Sequence, residues 1–169
     1  MAELPWLDAY NGQSTDALLA LEGRYRTDSL VVVFEQGVGQ KAHREGDAAL
    51  SGEEYYILAV EALEREVNNG GYSQFFTNSS KEFASRVAEA LEAIGCARFA
   101  AVTRDAVAAL RISGPVTEAA VDTAMASIDD AQLERLSACD EAYYGIADES
   151  IEDRLLAFIK DHRSAIRLP

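Results

Sequence analysis

The sequence is poor in cysteine and proline: its 169 residues include two cysteines and three prolines. Cys96 and Cys139 are too few and too far apart for a disulfide scaffold. We therefore expect both to be small apolar core side chains in a reducing compartment. The prolines, Pro5, Pro115 and Pro169, leave long segments without a helix breaker.

Residue patterns of common catalytic and metal sites are also absent. There is no Walker loop, no Gly-x-Ser-x-Gly elbow, no zinc-spaced set of His and Cys, and no calcium loop. His43 lies in a charged stretch and His162 near a predicted helix end, which favours a surface position for both. We expect no enzymatic activity, no cofactor and no metal site.

Long apolar runs are absent as well. None approaches the roughly 20 residues that cross a bilayer. The N-terminus carries neither the basic leader nor the apolar stretch of a signal peptide. We therefore expect a cytoplasmic protein.

What the sequence does have is acidic charge. Twenty-nine Asp and Glu against fifteen Lys and Arg give a net charge of −14. Such a surface repels nucleic acids and anionic membranes and attracts basic proteins. The alternative is that acidity serves only solubility. Apolar residues, at 49%, suffice for a core, and the length favours one domain over residues 1–169.

Apolar residues recur mostly at intervals of three and four, which predicts helices. Asn and Gly at 68–71 are expected to end the helix that a Ser51–Glu54 capping box begins. The only strand-like run, Val31–Phe34, has no β partner and is interpreted as the buried start of a helix. The sequence therefore predicts an all-α, single-domain bundle of about seven or eight helices. The expected helices are one after Ser14 or Thr15 carrying Leu18, Leu19 and Tyr25, one from Val31, and others near 51–67, 83–94, 99–110, 117–125, 130–144 and 150–166.

The sharpest local motif lies where the helix from Ser51 ends. Its residues are Glu66, Asn68, Asn69, Gly70, Gly71, Tyr72, Gln74, Phe75, Phe76 and Asn78. We expect a tight glycine turn that sends the aromatic side chains inward. Asn68, Gln74 and Asn78 are expected to bond the unpaired backbone groups of the two helix ends. This predicts a polar clasp between helices; a ligand pocket is the alternative.

This stretch resembles the signature of a bacterial DNA-mimic protein family, first known as a domain of unknown function. The family pattern is Glu-Val-Asn-Asn-Gly-Gly, an aromatic residue, then Gln-Phe-Phe and Asn, matched by residues 66–78. Glu53-Glu54, residues 91–95 and Tyr143-Tyr144 are similar too, so the resemblance covers about residues 50–160. It implies an acidic helical protein without known catalytic activity. It also implies homodimerisation and occupation of the DNA-binding face of a transcriptional regulator.

The acidic excess is concentrated near the C-terminus. Residues 114–153 contain eleven acids and one base, Arg135. We predict these acids as the partner-binding surface: Glu118, Asp122, Asp129, Asp130, Glu134, Asp140, Glu141, Asp148, Glu149, Glu152 and Asp153. Acids four residues apart stand about 6 Å apart along a helix, which suits a sparse imitation of a row of phosphates. Glu118, Asp129, Asp130, Asp148 and Glu149 also lie where helices are expected to begin, and capping is the alternative role for them.

Three functions remain open at this stage. The first is a DNA mimic that binds a basic partner such as a transcriptional regulator, with no direct contact to nucleic acid or membrane. The second is an interaction or immunity-type protein that recognises its partner by shape. The third is an enzyme that uses the polar cluster around residues 68–78. A deep, solvent-open pocket containing Gln74 and Asn78 would favour this last possibility.

Overall fold

Helices make up the regular structure of the computed structural model, which describes residues 3–169. Over that range there are eight α-helices, two short 3₁₀ helices and no strand beyond an isolated bridge between Glu22 and Tyr25. This confirms the predicted all-α class. The α-helices are α1 (Thr15–Leu19), α2 (Thr27–Glu45), α3 (Gly52–Thr77), α4 (Val87–Ala93), α5 (Ala97–Ala109), α6 (Glu118–Ala126), α7 (Asp130–Tyr144) and α8 (Ile151–Asp161). The 3₁₀ helices are Asp47–Ala49 and Ser79–Phe83.

Spatial proximity divides the chain into two compact units. Unit 1 combines the chain up to Glu61 with Ser150–Pro169, and unit 2 is Ala62–Glu149. The single domain expected from the length stays a prediction. Among residues 3–169, none of the helices combines the length and the apolar character that a membrane crossing needs.

In unit 1, helix α1 is shorter than the sequence predicted. Ser14 caps it as expected, accepting the amide of Ala17 at 3.2 Å, but the helix ends at Leu19. Tyr25 therefore lies outside it. The chain turns at Gly23, whose φ of +75° is incompatible with a continuing right-handed helix.

Helix α2 begins before the apolar run Val31–Phe34 and continues through two glycines. Glycine weakens a helix, so Gly37 and Gly39 within α2 need an explanation. Close packing favours glycine at position 37, because a Cβ there would lie 3.0 Å from Leu168 and 3.1 Å from the Tyr10 ring. The C-terminal segment thus approaches α2 directly over this glycine.

The capping box at the start of α3 is confirmed and is part of a larger buried cluster. The Ser51 hydroxyl accepts the Glu54 amide at 3.1 Å, and the Glu54 carboxylate accepts the Ser51 amide at 2.9 Å. The same carboxylate, fully buried, also binds the Lys41 ammonium at 2.8 and 2.9 Å and the Arg167 amide at 2.7 Å. Helix α2, the start of α3 and the C-terminal segment are therefore fixed to one carboxylate.

Helix α8 ends at Asp161 and not near Ile166. The chain leaves the helix because its last residues bond elsewhere in unit 1. The Thr15 hydroxyl donates to the Ile166 carbonyl at 2.7 Å. Together with the Arg167 amide on Glu54, this bond fixes the C-terminal segment within unit 1.

In unit 2, α4 is shorter at its start than predicted, because Phe83 belongs to the preceding 3₁₀ helix. Its end follows the sequence signal. The Gly95 amide donates to the Glu92 carbonyl and the Cys96 amide to the Leu91 carbonyl, and Gly95 has a φ of +87°. This is the Schellman arrangement that glycine favours after a helix. Cys96 is buried as expected, whereas Cys139 is half-buried.

Candidate functional site

The Gly70-Gly71 pair interrupts α3, as the motif predicted. Gly70 has φ −158° and ψ 20°, and Gly71 has φ +74° and ψ −175°. The Tyr72 amide, at the start of the second helical segment, donates to the Asp140 carboxylate at 2.7 Å. A Cβ on Gly71 would lie 2.4 Å from the same carboxylate. Glycine is therefore required here by both backbone conformation and contact.

A buried carboxylate, Glu66, holds together the two sides of this break. It accepts Gln74 Nε2 at 2.7 Å, Asn78 Nδ2 at 2.9 Å and Ser80 Oγ at 3.1 Å. Burial raises the pKa of Glu66, but these three hydrogen bonds, with Arg65 nearby, outweigh burial and hold the pKa below its ordinary value.

The predicted clasp thus exists, but with different partners. Gln74 and Asn78 were expected to bond the backbone of the helix ends, and they bond a side chain instead. Asn68 does bond backbone, donating to the Glu64 carbonyl at 2.9 Å, and Asn69 is exposed. Sequence reasoning missed Ser80, because it lies fourteen residues from Glu66 in a separate 3₁₀ helix.

Aromatic side chains fill the interior beside the break. Tyr72, Phe75 and Phe76 are fully buried, as predicted. The Tyr72 hydroxyl shares a 2.7 Å hydrogen bond with Thr103, and burial raises the pKa of Tyr72 well above its usual value. These contacts give the motif a role in packing.

Two adjacent aromatic residues, Tyr143 and Tyr144, are predicted by the sequence to lie in the core, and this prediction is wrong for Tyr144. Tyr143 is buried, and its hydroxyl donates to the Glu64 carboxylate. Tyr144 is 55% exposed, although its hydroxyl donates to the Val67 carbonyl. Consecutive residues of a helix point about 100° apart, so a helix at the surface buries one and exposes the other.

The side chains of Gln74 and Asn78 are bound within the Glu66 cluster and are not buried together in a cavity. Gln74 is half-buried and Asn78 is exposed, with the amide of each committed to Glu66. Two open depressions of about 530 and 510 Å³ occur elsewhere, the first beside α6 and the second beside α2. Neither is lined by Gln74 or Asn78. Over residues 3–169, no three His, Cys, Asp or Glu side chains are grouped to hold a metal ion.

Of the eleven acids of the predicted binding surface, three pair with bases that lie outside residues 114–153. These pairs are Asp122 with Lys81 at 2.5 Å, Asp129 with Arg111 at 3.0 Å, and Asp148 with Arg98. The folded chain therefore neutralises part of the acidic block that the sequence count shows.

Two acids of this set, Asp129 and Glu149, bond the backbone amides at a helix start. Asp129 caps α7, as expected, in a capping box with Gln132. Glu149 does not act on α8, which Ser150 caps; its carboxylate accepts the Arg98 amide at 3.1 Å at the start of α5. The expectation that Asp148 and Glu149 serve the start of α8 is thus wrong. Glu149 and Asp153 are four residues apart, the spacing that places acids on one helix face, but Glu149 precedes α8 and does not share that helix with Asp153.

Six of the eleven carboxylates have neither a hydrogen bond nor an ion pair within residues 3–169. They are Glu118, Asp130, Glu134, Glu141, Glu152 and Asp153. Asp130, Glu134 and Glu141 are exposed on α7, four and seven residues apart, which places them along one face. The buried face of the same helix carries Leu136 and Tyr143.

Helix α7 therefore joins the motif to the exposed charge. Its last two turns bind the interrupted helix three times, through Asp140, Tyr143 and Tyr144. The motif around Gly71 thereby fixes the helix whose outer side carries three unpaired carboxylates.

Comparison with known proteins gives one family match. The family described as DMP19-like protein matches residues 48–162, more than half of the chain. The matched range includes α3 to α8 with the Glu66 cluster and all eleven acids. Searches of curated proteins and of solved structures return no match.

Proposed function

The chain belongs to the DMP19-like protein family, and from that premise we propose that it is a DNA mimic that binds a basic protein. DMP19 is a DNA-mimic family and not a known enzyme family. In this proposal the chain occupies the nucleic-acid-binding face of a partner such as a transcriptional regulator. In the same proposal, the chain acts in the cytoplasm and forms a homodimer.

The observation that carries the proposal is the row of unpaired carboxylates on α7. Asp130 and Glu141 are eleven residues apart, which corresponds to about 17 Å along a helix, with Glu134 between them. The row is sparser than duplex DNA, which has one charge per about 1.7 Å of axis. It still offers the lysines and arginines of a DNA-reading surface several anions on one rigid element.

Unpaired acids suit this role better than paired ones. A partner cation that approaches Glu134 or Glu141 displaces only water and mobile ions. A cation that approaches Asp122 competes with Lys81, which is already 2.5 Å away. Charge complementarity of this kind raises association rates and selects partners of the opposite sign.

The test compares two triple variants that remove the same number of charges. The first is Asp130→Asn/Glu134→Gln/Glu141→Gln, which neutralises unpaired acids. The second is Asp122→Asn/Asp129→Asn/Asp148→Asn, which neutralises paired acids and keeps an Asn that can still cap α7. Proteins captured from lysate at low salt are identified, and their affinity is measured with added salt and with duplex DNA as competitor.

We expect the first triple variant to lose about tenfold in affinity, at about 0.2–1 kcal/mol per exposed charge contact. The second should lose much less, and both salt and duplex DNA should compete with binding. Equal losses would assign binding to net charge alone. A partner that stays bound at high salt and is not displaced by duplex DNA would contradict mimicry.

A shape-specific interaction protein is the second candidate, and exposed apolar side chains on α7 favour it. Leu133 is 42% exposed and Tyr144 is 55% exposed. Pure charge mimicry does not require either of them. Under this alternative, the first triple variant keeps partner binding, whereas Leu133→Ser abolishes it.

A further inference from the structure

One face of α7 combines large exposed apolar side chains with unpaired carboxylates. In a helix, residues separated by three, four, seven or eleven positions share a face. By this spacing the outer face of α7 consists of Asp130, Leu133, Glu134, Ser137, Glu141 and Tyr144. All six are exposed. The opposite side, with Gln132, Leu136 and Tyr143, is buried.

Tyr144 is exposed and yet held in place. Its hydroxyl donates to the Val67 carbonyl, and its ring packs edge-on against Tyr143, with the centroids 6.0 Å apart. A side chain fixed at both ends loses little conformational entropy when a partner covers it. Rigid, exposed aromatic side chains of this kind commonly anchor protein–protein interfaces.

The carboxylate of Glu141 lies one helical turn before this ring. Residues three apart on a helix have their Cβ atoms about 5–6 Å apart. Glu141 has no ion pair or hydrogen bond within residues 3–169, so its charge is available to a partner. An aromatic face beside a carboxylate suits a planar guanidinium, which can stack on the ring while it hydrogen-bonds the acid.

We infer that the outer face of α7 is an arginine-binding surface for a basic segment of a protein partner, with Tyr144 and Glu141 receiving one arginine side chain. Asp130 and Glu134 receive further cations along the helix, and Leu133 contacts the aliphatic part of the segment. Charge complementarity decides the occupant, because three carboxylates flank the apolar side chains and the outer face carries no cation. The inference rests on the proposed binding of a basic protein, and it names the side chain that is recognised.

This inference separates arginine from lysine, which a charge-only surface does not. Lysine offers a compact, strongly hydrated charge, whereas arginine stacks on aromatic rings and bonds carboxylates with two parallel donors. Two synthetic peptides of equal length, equal charge and identical spacing, one with arginines and one with lysines, are therefore the probes. Their affinities for the full chain are measured by fluorescence anisotropy at low salt.

We expect the arginine peptide to bind about two- to fivefold more tightly, the fold-change that corresponds to about 0.5–1 kcal/mol. Tyr144→Leu, which keeps an apolar side chain and removes the ring, should abolish this preference and leave lysine-peptide affinity nearly unchanged. Glu141→Gln should weaken both peptides, and the arginine peptide more. Asp105→Asn, at an exposed acid of α5 outside the predicted binding surface, is the matched control and should preserve the preference.

The outcomes separate this inference from the proposed function. If both peptides bind equally well, or if Tyr144→Leu keeps the arginine preference, the arginine site is overturned and the acidic decoy stands. If neither peptide binds at low salt, both proposals are overturned. Circular dichroism and thermal unfolding of each variant establish that it is folded before binding is compared.

Discussion

The carboxylate of Asp140 on α7 accepts the backbone amide of Tyr72 at 2.7 Å, directly over Gly71. The two residues are sixty-eight positions apart in sequence. This bond caps the second half of the interrupted α3 with a side chain from another helix. The orientation of α7 therefore depends on a glycine that lets the carboxylate approach the backbone.

Gly71→Ala should destabilise unit 2 strongly. A φ of +74° strains any residue with a Cβ, and this Cβ would also lie 2.4 Å from an Asp140 oxygen. Backbone strain alone costs about 1–3 kcal/mol. We expect the unfolding free energy to fall by more than this, because the contact with Asp140 adds to the strain. Urea unfolding measures the change. Gly114→Ala is the control, since its φ of +96° carries similar strain with no atom within 4 Å; equal losses in the two variants would show that the Asp140 contact contributes nothing.

Asp140→Asn and Asp140→Ala should have different effects on the unfolding free energy. Burial raises the pKa of Asp140, and the Tyr72 amide lowers it only in part, so the ionised form is disfavoured by folding. Asn keeps an acceptor for Tyr72 without the buried charge and should leave stability at pH 7 unchanged or higher. Ala leaves the amide without its acceptor and should cost about 1–3 kcal/mol.

The pH dependence provides the check on Asp140. A carboxyl whose pKa is raised by folding stabilises the native state most below its unfolded pKa, and this contribution is lost as the pH rises through the folded pKa. Wild type should therefore gain stability relative to Asp140→Asn as the pH falls through this range. A difference that does not change with pH would contradict the role assigned to burial.

Capping residues in the sequence predicted correctly where several helices begin or end. Asp129, Ser51 and Gly95 act through residues within five positions, and the bounds of α7 agree with the prediction at both ends. Helices α1 and α8 were predicted too long, because tertiary contacts decided where they end. The Thr15–Ile166 bond, for example, joins residues 151 positions apart.

The acidic surface was less predictable than the helices. Contacts between residues far apart in sequence decide which acids are paired, as they also decide where α1 and α8 end. A count along the chain assigns charge to residues 114–153, but ion pairs depend on distance in space. Lys81, Arg98 and Arg111 lie before that block and neutralise three of its acids. The motif likewise identified Gln74 and Asn78 as important, while their acceptor, Glu66, became evident only in the folded chain.

Glu66→Gln should destabilise the protein at neutral pH by about 1.5–3 kcal/mol, the range for a hydrogen bond to a charged group. Gln also brings an N–H donor to a cluster whose three members already donate. The pKa of Glu66 is lowered by folding, so its contribution is present above the unfolded pKa and lost as the pH falls through the folded pKa. Wild type and variant should therefore converge in unfolding free energy below about pH 4. Glu118→Gln, on an exposed acid, should change stability little at any pH.

Lys41 and Glu54 allow a double-mutant cycle in unit 1. Lys41→Met removes the cation from a carboxylate that is fully buried and should cost about 3–5 kcal/mol, because a buried charge is left without its partner. Glu54→Gln alone should be costly too, since the amide retains one acceptor oxygen for the backbone amides of Ser51 and Arg167. The double variant should recover part of the loss, because no uncompensated charge remains. Guanidinium unfolding of all four proteins gives the coupling energy; additive losses would contradict a stabilising interaction between the two side chains.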